Sequence, residues 1–252
     1  MLGRISSFQS MGAVDGPGLR CVVFLQGCPL RCVYCHNPET WDKNGGQEIS
    51  VEELVSKIDR YRNYIRKDGG VTVSGGEALM QWQFAAELFR QLKDRGYHTA
   101  LDTSGVGDLQ GAKEVLRYTD LVIADLKFTE AEDFRKYCHG DLQQVFDFLA
   151  LTATMQIPLW IRQVIVPGLH DTKQNILALE RAASRYPNLV KLELLPFRKL
   201  CESKYTALGI PFLLKNTPEC SSETIATLEQ EMTNVSGARS EIRHSPATGS
   251  MM

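Results

Sequence analysis

Three cysteines crowd into one short stretch, Cys28-Pro-Leu-Arg-Cys32-Val-Tyr-Cys35. Thiolates are soft ligands suited to zinc or to iron-sulfur clusters, and a bound metal lowers the thiol pKa sharply. The spacing bears on which metal it is. A structural zinc site normally draws four ligands from paired knuckles. This chain has no second Cys-x-x-Cys, and His36, directly after Cys35, is a poor fourth ligand beside its neighbour. A 4Fe-4S cluster held by three cysteines leaves one iron open to a cofactor. A zinc-binding interaction module remains the non-enzyme alternative, and iron and sulfide analysis separates the two. Cys21, Cys138, Cys201 and Cys220 have no partner spacing and read as ordinary apolar or surface positions.

The cysteine stretch follows a β-branched run, and that run is the first of six. Strands are expected at Arg20 to Gln26, Val71 to Ser74, His98 to Thr103, Leu121 to Leu126, Leu159 to Val166 and Val190 to Leu195. Most read as strands buried on both faces. Helical periodicity falls at Ser50 to Lys67, Leu79 to Arg95, Leu109 to Arg117, Leu142 to Met155, Thr172 to Tyr186 and Ser222 to Met232, with Ser50 and Glu53 set for a capping box. Alternating strands and helices predict an α/β fold with a parallel sheet. Several strands end in glycine or polar residues, among them Gly75-Gly76-Glu77, Asp102-Thr103 and Asp125 with Lys127. In such folds the strand C-termini form the ligand face, so these residues converge on the cysteines.

Length and composition agree with a single barrel-sized unit over residues 1–234. The chain has 252 residues, of which 43% are hydrophobic and 23% charged, so neither a fibrous nor a largely disordered chain fits. Lys and Arg total 28 against 30 Asp and Glu, which lacks the basic excess of many nucleic-acid binders. Runs such as Val22 to Leu25 are far too short to cross a bilayer. Met1 to Phe8 shows no export signal, and seven cysteines, an odd number, do not suit a secreted disulfide framework. The cytoplasm is the expected compartment. Val235 to Met252 has no periodicity and is expected to be a disordered tail.

Cys-x3-Cys-x2-Cys followed by Ser74-Gly75-Gly76-Glu77 resembles the radical S-adenosylmethionine superfamily. Val14-Asp-Gly-Pro-Gly-Leu-Arg20, Tyr34-Cys-His-Asn37, Leu101-Asp-Thr103, Asp125-Leu-Lys127, Trp160-Ile-Arg162, Val166-Pro-Gly168 and Glu193-Leu-Leu-Pro196 bring it closer to the activases of glycyl-radical enzymes, those of pyruvate formate-lyase above all. The resemblance implies a partial (β/α)6 barrel of parallel strands, open on one side. It implies a 4Fe-4S cluster on Cys28, Cys32 and Cys35, and S-adenosylmethionine as cofactor. Reductive cleavage of that cofactor then yields a radical that takes a hydrogen from a glycine Cα of pyruvate formate-lyase. A flavodoxin or ferredoxin-type protein is the implied electron donor; neither nucleic acid nor membrane is an expected partner.

By the same resemblance Tyr34, Cys35 and His36 lie against the adenine end of the cofactor, and Gly75, Gly76 and Glu77 face its methionine portion. Asp125, Leu126 and Lys127 border its carboxylate. Asp102, Thr103, Asp125 and the backbone of Ile123 form a monovalent cation site. Where the family pattern commonly has Tyr-His, this chain reads Phe197-Arg198, which makes Arg198 a candidate to stack on adenine. Asp15-Gly-Pro-Gly18 is turn chemistry, and in the family it frames the entrance for the partner's glycine loop. Only 39 residues separate Cys35 from Gly75, none of them cysteine, so the cysteine-rich insert carried by many activases of dehydratases and decarboxylases is absent. A short-form activase of another glycyl-radical enzyme is the nearest alternative. A radical enzyme modifying a nucleobase or small molecule is a more distant one, without the basic face or added domain it would need.

Overall fold

The computed structural model describes residues 1–232. Eight strands form one sheet: β1 (Leu2–Gly12), β2 (Arg20–Leu25), β3 (Gln47–Ser50), β4 (Gly70–Gly75), β5 (Thr99–Thr103), β6 (Leu121–Asp125), β7 (Leu159–Ile165) and β8 (Leu189–Pro196). Their spatial order is β3-β1-β2-β4-β5-β6-β7-β8, with β3 and β8 at the two edges. From β2 to β8 every pairing is parallel, so the six strands expected from the sequence are the six parallel staves of an unclosed barrel. β1 pairs antiparallel with both β2 and β3 and extends the wall on one side. Neither of these two was legible. β1 mixes Ser, Gln and Gly with Ile5 and Phe8, and it is only half-buried.

The helices are α1 (Val51–Asp59), α2 (Arg62–Ile65), α3 (Trp82–Asp94), α4 (Leu109–Leu116), α5 (Ala131–Cys138), α6 (Leu142–Thr154), α7 (Lys173–Ala183), α8 (Glu202–Leu208) and α9 (Ser222–Glu231). In α3, Phe84, Ala85, Leu88, Phe89 and Leu92 recur at three- and four-residue spacing and are all buried. They pack into one core with Val23, Leu25, Val71, Val73 and Leu101 of the strands. Ser50 and Glu53 do form a capping box: the Glu53 N–H donates to Ser50 Oγ at 3.2 Å, and the Ser50 N–H donates to the Glu53 carboxylate at 2.9 Å. The helix expected from Ser50 to Lys67 is broken in two at Tyr61 (φ −102°, ψ 5°), whose ring meets Phe8 of β1 at 6.1 Å. α5 and α8 were not foreseen. α5 buries only Phe134 and Cys138, one pair four residues apart in a charged segment. Among the described residues no helix is long and apolar enough to cross a membrane. The tail from Val235 to Met252 lies outside the described residues.

Candidate radical cofactor site

Most strands contribute to the site at or just beyond their C-terminal ends, and β7 does so also from its middle, at Arg162. The loop after β2 carries the cysteines, β4 ends in Ser74 and Gly75, β5 in Asp102 and Thr103, β6 in Asp125, and all of them line a cavity of about 340 Å³. Tyr34, His36, Gly76 and Lys127 line it too, together with Asp15, Arg162 and Leu195. Cavities of this size suit a small-molecule cofactor.

The two glycines allow the end of β4 to lie against the cysteine loop. Gly75 has φ +122°, and a Cβ there would stand 2.2 Å from the Leu25 nitrogen; one on Gly76 would stand 2.2 Å from the Gly27 carbonyl and 3.1 Å from Cys28 Cβ. The loop is pinned by main-chain bonds: Arg31 N–H to the Cys138 carbonyl and Val33 N–H to the Tyr137 carbonyl, both 2.9 Å. The Tyr205 hydroxyl of α8 donates to the Cys35 carbonyl at 3.1 Å, and Lys204 reaches Asn37 at 2.8 Å.

Burial pushes the Cys28 thiol up to about 12, aided by Glu77, and burial pushes Cys35 up to about 11. Without a metal these thiols stay protonated and inert near neutral pH. A metal makes them thiolates. Among the described residues no three His, Cys, Asp or Glu side chains converge on a point where they would hold a single ion. A four-iron cube takes one thiolate at each of three corners, so its ligands stand apart, and three cysteines spread along one cavity-lining loop fit it.

A compact ion network lies across the cavity. The Arg162 guanidinium, its side chain 10% exposed, donates from Nη2 to Asp102 at 2.7 Å and from Nε to Asp125 at 3.2 Å. Lys127 Nζ meets the other Asp125 oxygen at 3.3 Å, and the Ser74 hydroxyl the other Asp102 oxygen at 2.8 Å. Burial alone would raise both carboxyls. At Asp125, Lys127 and Arg162 outweigh it and hold the group below its ordinary value, whereas Asp102 stays raised.

Three expected contacts, Glu77, Leu126 and Arg198, do not line the cavity. Glu77 is 1% exposed and does not line the cavity. Its carboxylate accepts from Leu79 N–H (3.0 Å), the Thr103 hydroxyl (2.5 Å), and the N–H and hydroxyl of Ser104 (2.8 and 2.5 Å). It therefore ties the β4 and β5 ends together from behind. Leu126 is fully buried in the core. The Ile123 side chain packs on Ala100 and Leu121, so only its backbone is a candidate for the site. Arg198 directs its guanidinium to the Cys220 carbonyl at 2.7 Å, while its own carbonyl lies 2.8 Å from His36 Nε2. A carbonyl only accepts, so His36 carries its proton on that nitrogen.

Arg162 lay in a motif used for the resemblance, but no role followed from its position. Cys138 was read as an ordinary apolar residue. It is fully buried, and its carbonyl accepts from the Arg31 N–H of the cysteine loop at 2.9 Å. No spacing rule connects residues 31 and 138.

His170 supports the site from below. Its Nδ1 accepts from Val166 N–H at 3.3 Å, which places the proton on Nε2 for donation to the Lys127 carbonyl at 3.0 Å. Phe128 lies 4.4 Å from its ring and Tyr34 5.9 Å. Burial lowers its pKa from 6.5 to about 4. The unfolded chain therefore binds this proton first as the solution is acidified. The stabilisation is complete above about pH 6.5 and is lost as pH falls towards 4, by about 3 kcal/mol for this group. Urea unfolding between pH 7 and 4 should show a shallower decline in His170→Phe than in the parent; parallel declines would contradict the assignment.

A family model described as a 4Fe-4S single cluster domain matches residues 14–146. The pyruvate formate-lyase-activating enzyme of Clostridium pasteurianum is 42% identical over 231 residues, covering 91% of this chain and 97% of that one. The pyruvate formate-lyase 1-activating enzyme of Escherichia coli K12 is 39% identical over 228 residues, covering 89% and 93%. Among solved structures, a radical SAM methyltransferase from Sphaerobacter thermophilus superposes with a TM-score of 0.60 at 15% identity, covering 84% of this chain and 63% of that one. A domain of a pyruvate-formate lyase-activating enzyme from Bacteroides vulgatus gives 0.54 at 22%, covering 65% and 92%. These two bear on the fold, the radical SAM barrel. Sharing that much sequence with its relatives along nearly its whole length, the chain belongs to the family of pyruvate formate-lyase-activating enzymes.

Proposed function

We propose that this chain is a radical activase whose substrate is a glycine residue in the backbone of pyruvate formate-lyase. The observation that carries the reading is the meeting of three cysteines, a glycine pair and a carboxylate-cation network on the walls of one cavity. When bound, the 4Fe-4S cluster and S-adenosylmethionine supply the electron and the 5′-deoxyadenosyl radical that removes a hydrogen atom from the glycine Cα.

The chain's own residues hold, orient and exclude. Cys28, Cys32 and Cys35 are the ligands. Gly75 and Gly76 give the methionine portion of the cofactor close approach to backbone, and Tyr34 with His36 borders its adenine. Lys127 and Arg162 are the cations available to its carboxylate. A monovalent cation at Asp102, Thr103, Asp125 and the Ile123 carbonyl would share both carboxylates with Arg162. Abstraction of hydrogen from carbon needs no acid or base, so placing the glycine beside the radical and keeping water out dominate catalysis. A flavodoxin or ferredoxin-type protein supplies the electron, and the cytoplasm is the compartment.

The test is anaerobic incubation of the reconstituted protein with S-adenosylmethionine, a reductant and pyruvate formate-lyase, read by electron paramagnetic resonance. A glycyl doublet on pyruvate formate-lyase is the expected result. Cofactor cleavage with no radical on that protein would keep the chemistry and reject the partner.

A further inference from the structure

The turn that joins β1 to β2 is held from inside the barrel. Val14 and Asp15 line the cofactor cavity, and Val14 is 82% exposed, so the turn borders both the cavity and its mouth. Thr72 lies two residues before Ser74 in β4 and therefore shares its inward face. The Thr72 hydroxyl accepts from Arg20 Nε at 2.6 Å and donates to the Asp15 carbonyl at 2.6 Å. That direction is fixed, because a guanidinium offers no lone pair and the single hydroxyl proton must go to the carbonyl. Arg20 also donates from Nη1 to the Pro17 carbonyl at 3.0 Å, and from Nη2 to the Val71 carbonyl at 2.9 Å and His98 Nδ1 at 3.2 Å. Two carbonyls of the turn are thus tied to one side chain, Pro17 directly and Asp15 through Thr72.

This is an expensive way to hold a turn. Arg20 is fully buried, and its acceptors are carbonyls, a hydroxyl and an imidazole nitrogen, none of them a carboxylate. Burying a cation without a counter-charge costs stability that an apolar side chain would not. The interior beside it does without charge: a Cβ on Gly16 would stand 3.4 Å from Ile123, which packs in an apolar cluster with Ala100, Leu121 and Trp160. What the Arg20-Thr72 pair adds to such packing is a set direction for the turn's carbonyls. Gly16 (φ +128°) and Gly18 (φ +66°) let the backbone follow that direction, and a Cβ on Gly18 would collide with the Asp68 carbonyl.

Taking as its premise that the substrate is a glycine loop rooted in a partner protein, we infer that Thr72 and Arg20 are positioning residues for that loop. Their hydrogen-bond chain keeps residues 15–18 in one shape before the partner arrives. An entering backbone then meets a finished wall and does not have to order it, which lowers the cost of binding without touching the chemical step.

The experiment is carried by Thr72, since valine keeps its shape without the hydroxyl and serine keeps the hydroxyl without the methyl. The full chain, Thr72→Val and Thr72→Ser are each reconstituted with iron and sulfide, and the initial rate of glycyl-radical formation is measured against pyruvate formate-lyase concentration. Thr72→Val should raise the KM for that protein about tenfold while the maximal rate, and cofactor cleavage without the partner, stay within about twofold of the parent. Thr72→Ser should match the parent in all three. In the metal-free chains, amide hydrogen exchange over residues 13–19 should quicken in the valine variant alone. An unchanged KM in Thr72→Val would overturn the inference, as would a serine variant as impaired as the valine one, which would point to packing. A fall in partner-free cleavage would overturn it too, because the pair would then serve the cofactor and not the loop. A parent chain that cleaves the cofactor but raises no radical on pyruvate formate-lyase would instead reject the premise, and the inference with it.

Discussion

Cys32→Ala should leave a soluble, folded protein that contains little iron and cleaves S-adenosylmethionine no faster than an enzyme-free control. Both halves follow from how the loop is attached. Its anchors are main-chain groups, Arg31 and Val33 to the end of α5 and Cys35 N–H to the Cys32 carbonyl at 3.1 Å, and none uses the Cys32 sulfur. Removing one buried sulfur therefore costs about 1 kcal/mol, a small cavity in an otherwise intact core. The chemistry does not survive so well, because two thiolates cannot hold a cube that needs three. Circular dichroism melting and iron analysis on the same preparation check both statements. A variant with parental cleavage would remove Cys32 from the ligand set.

Arg162→Met should be the most destabilising single change in the site, costing about 3–5 kcal/mol. Its guanidinium is the shared partner of Asp102 and Asp125, whose side chains are 12% and 26% exposed. A methionine of similar length fills the space and leaves two carboxylates facing each other, with only Lys127 to answer one of them. The sign of the pH dependence distinguishes this from simple loss of packing. Without the guanidinium the Asp102 carboxyl is raised further in the folded state, so the native chain binds the extra proton. The deficit should then be largest near neutral pH and shrink as the solution is acidified towards the carboxyl range. Adding Asp102→Asn should recover part of the loss. Denaturant midpoints of the two variants against the parent, measured across pH, decide it; a pH-independent deficit would mean that the charge plays no part.

The parallel strands were legible because a strand buried on both faces carries an unbroken apolar run, as β2 does from Cys21 to Leu25 and β6 from Leu121 to Ala124. The cysteine loop was legible because a cluster's ligands come from one short segment. β1 was not, since a half-buried strand rich in Ser and Gln carries little periodic signal and takes its order from its neighbours. α5 and α8 are short and polar and bury one or two residues each. Within the site, Arg162 matters through what stands opposite it in space, Asp102 and Asp125. Glu77 shows the converse. Sequence adjacency to the glycine pair suggested a cofactor contact, but the extended backbone there turns its carboxylate to Thr103 and Ser104.

Among the described residues the sheet ends at β3 on one side and β8 on the other, without a seam joining them. A sealed cylinder would admit only what fits through its rim, which suits a metabolite. With a stave missing, a bend of polypeptide whose two ends remain rooted in another folded protein can be slid in sideways and withdrawn again, with no free terminus and no threading. A macromolecular guest needs that kind of doorway, and the strand count provides it before any side chain is considered.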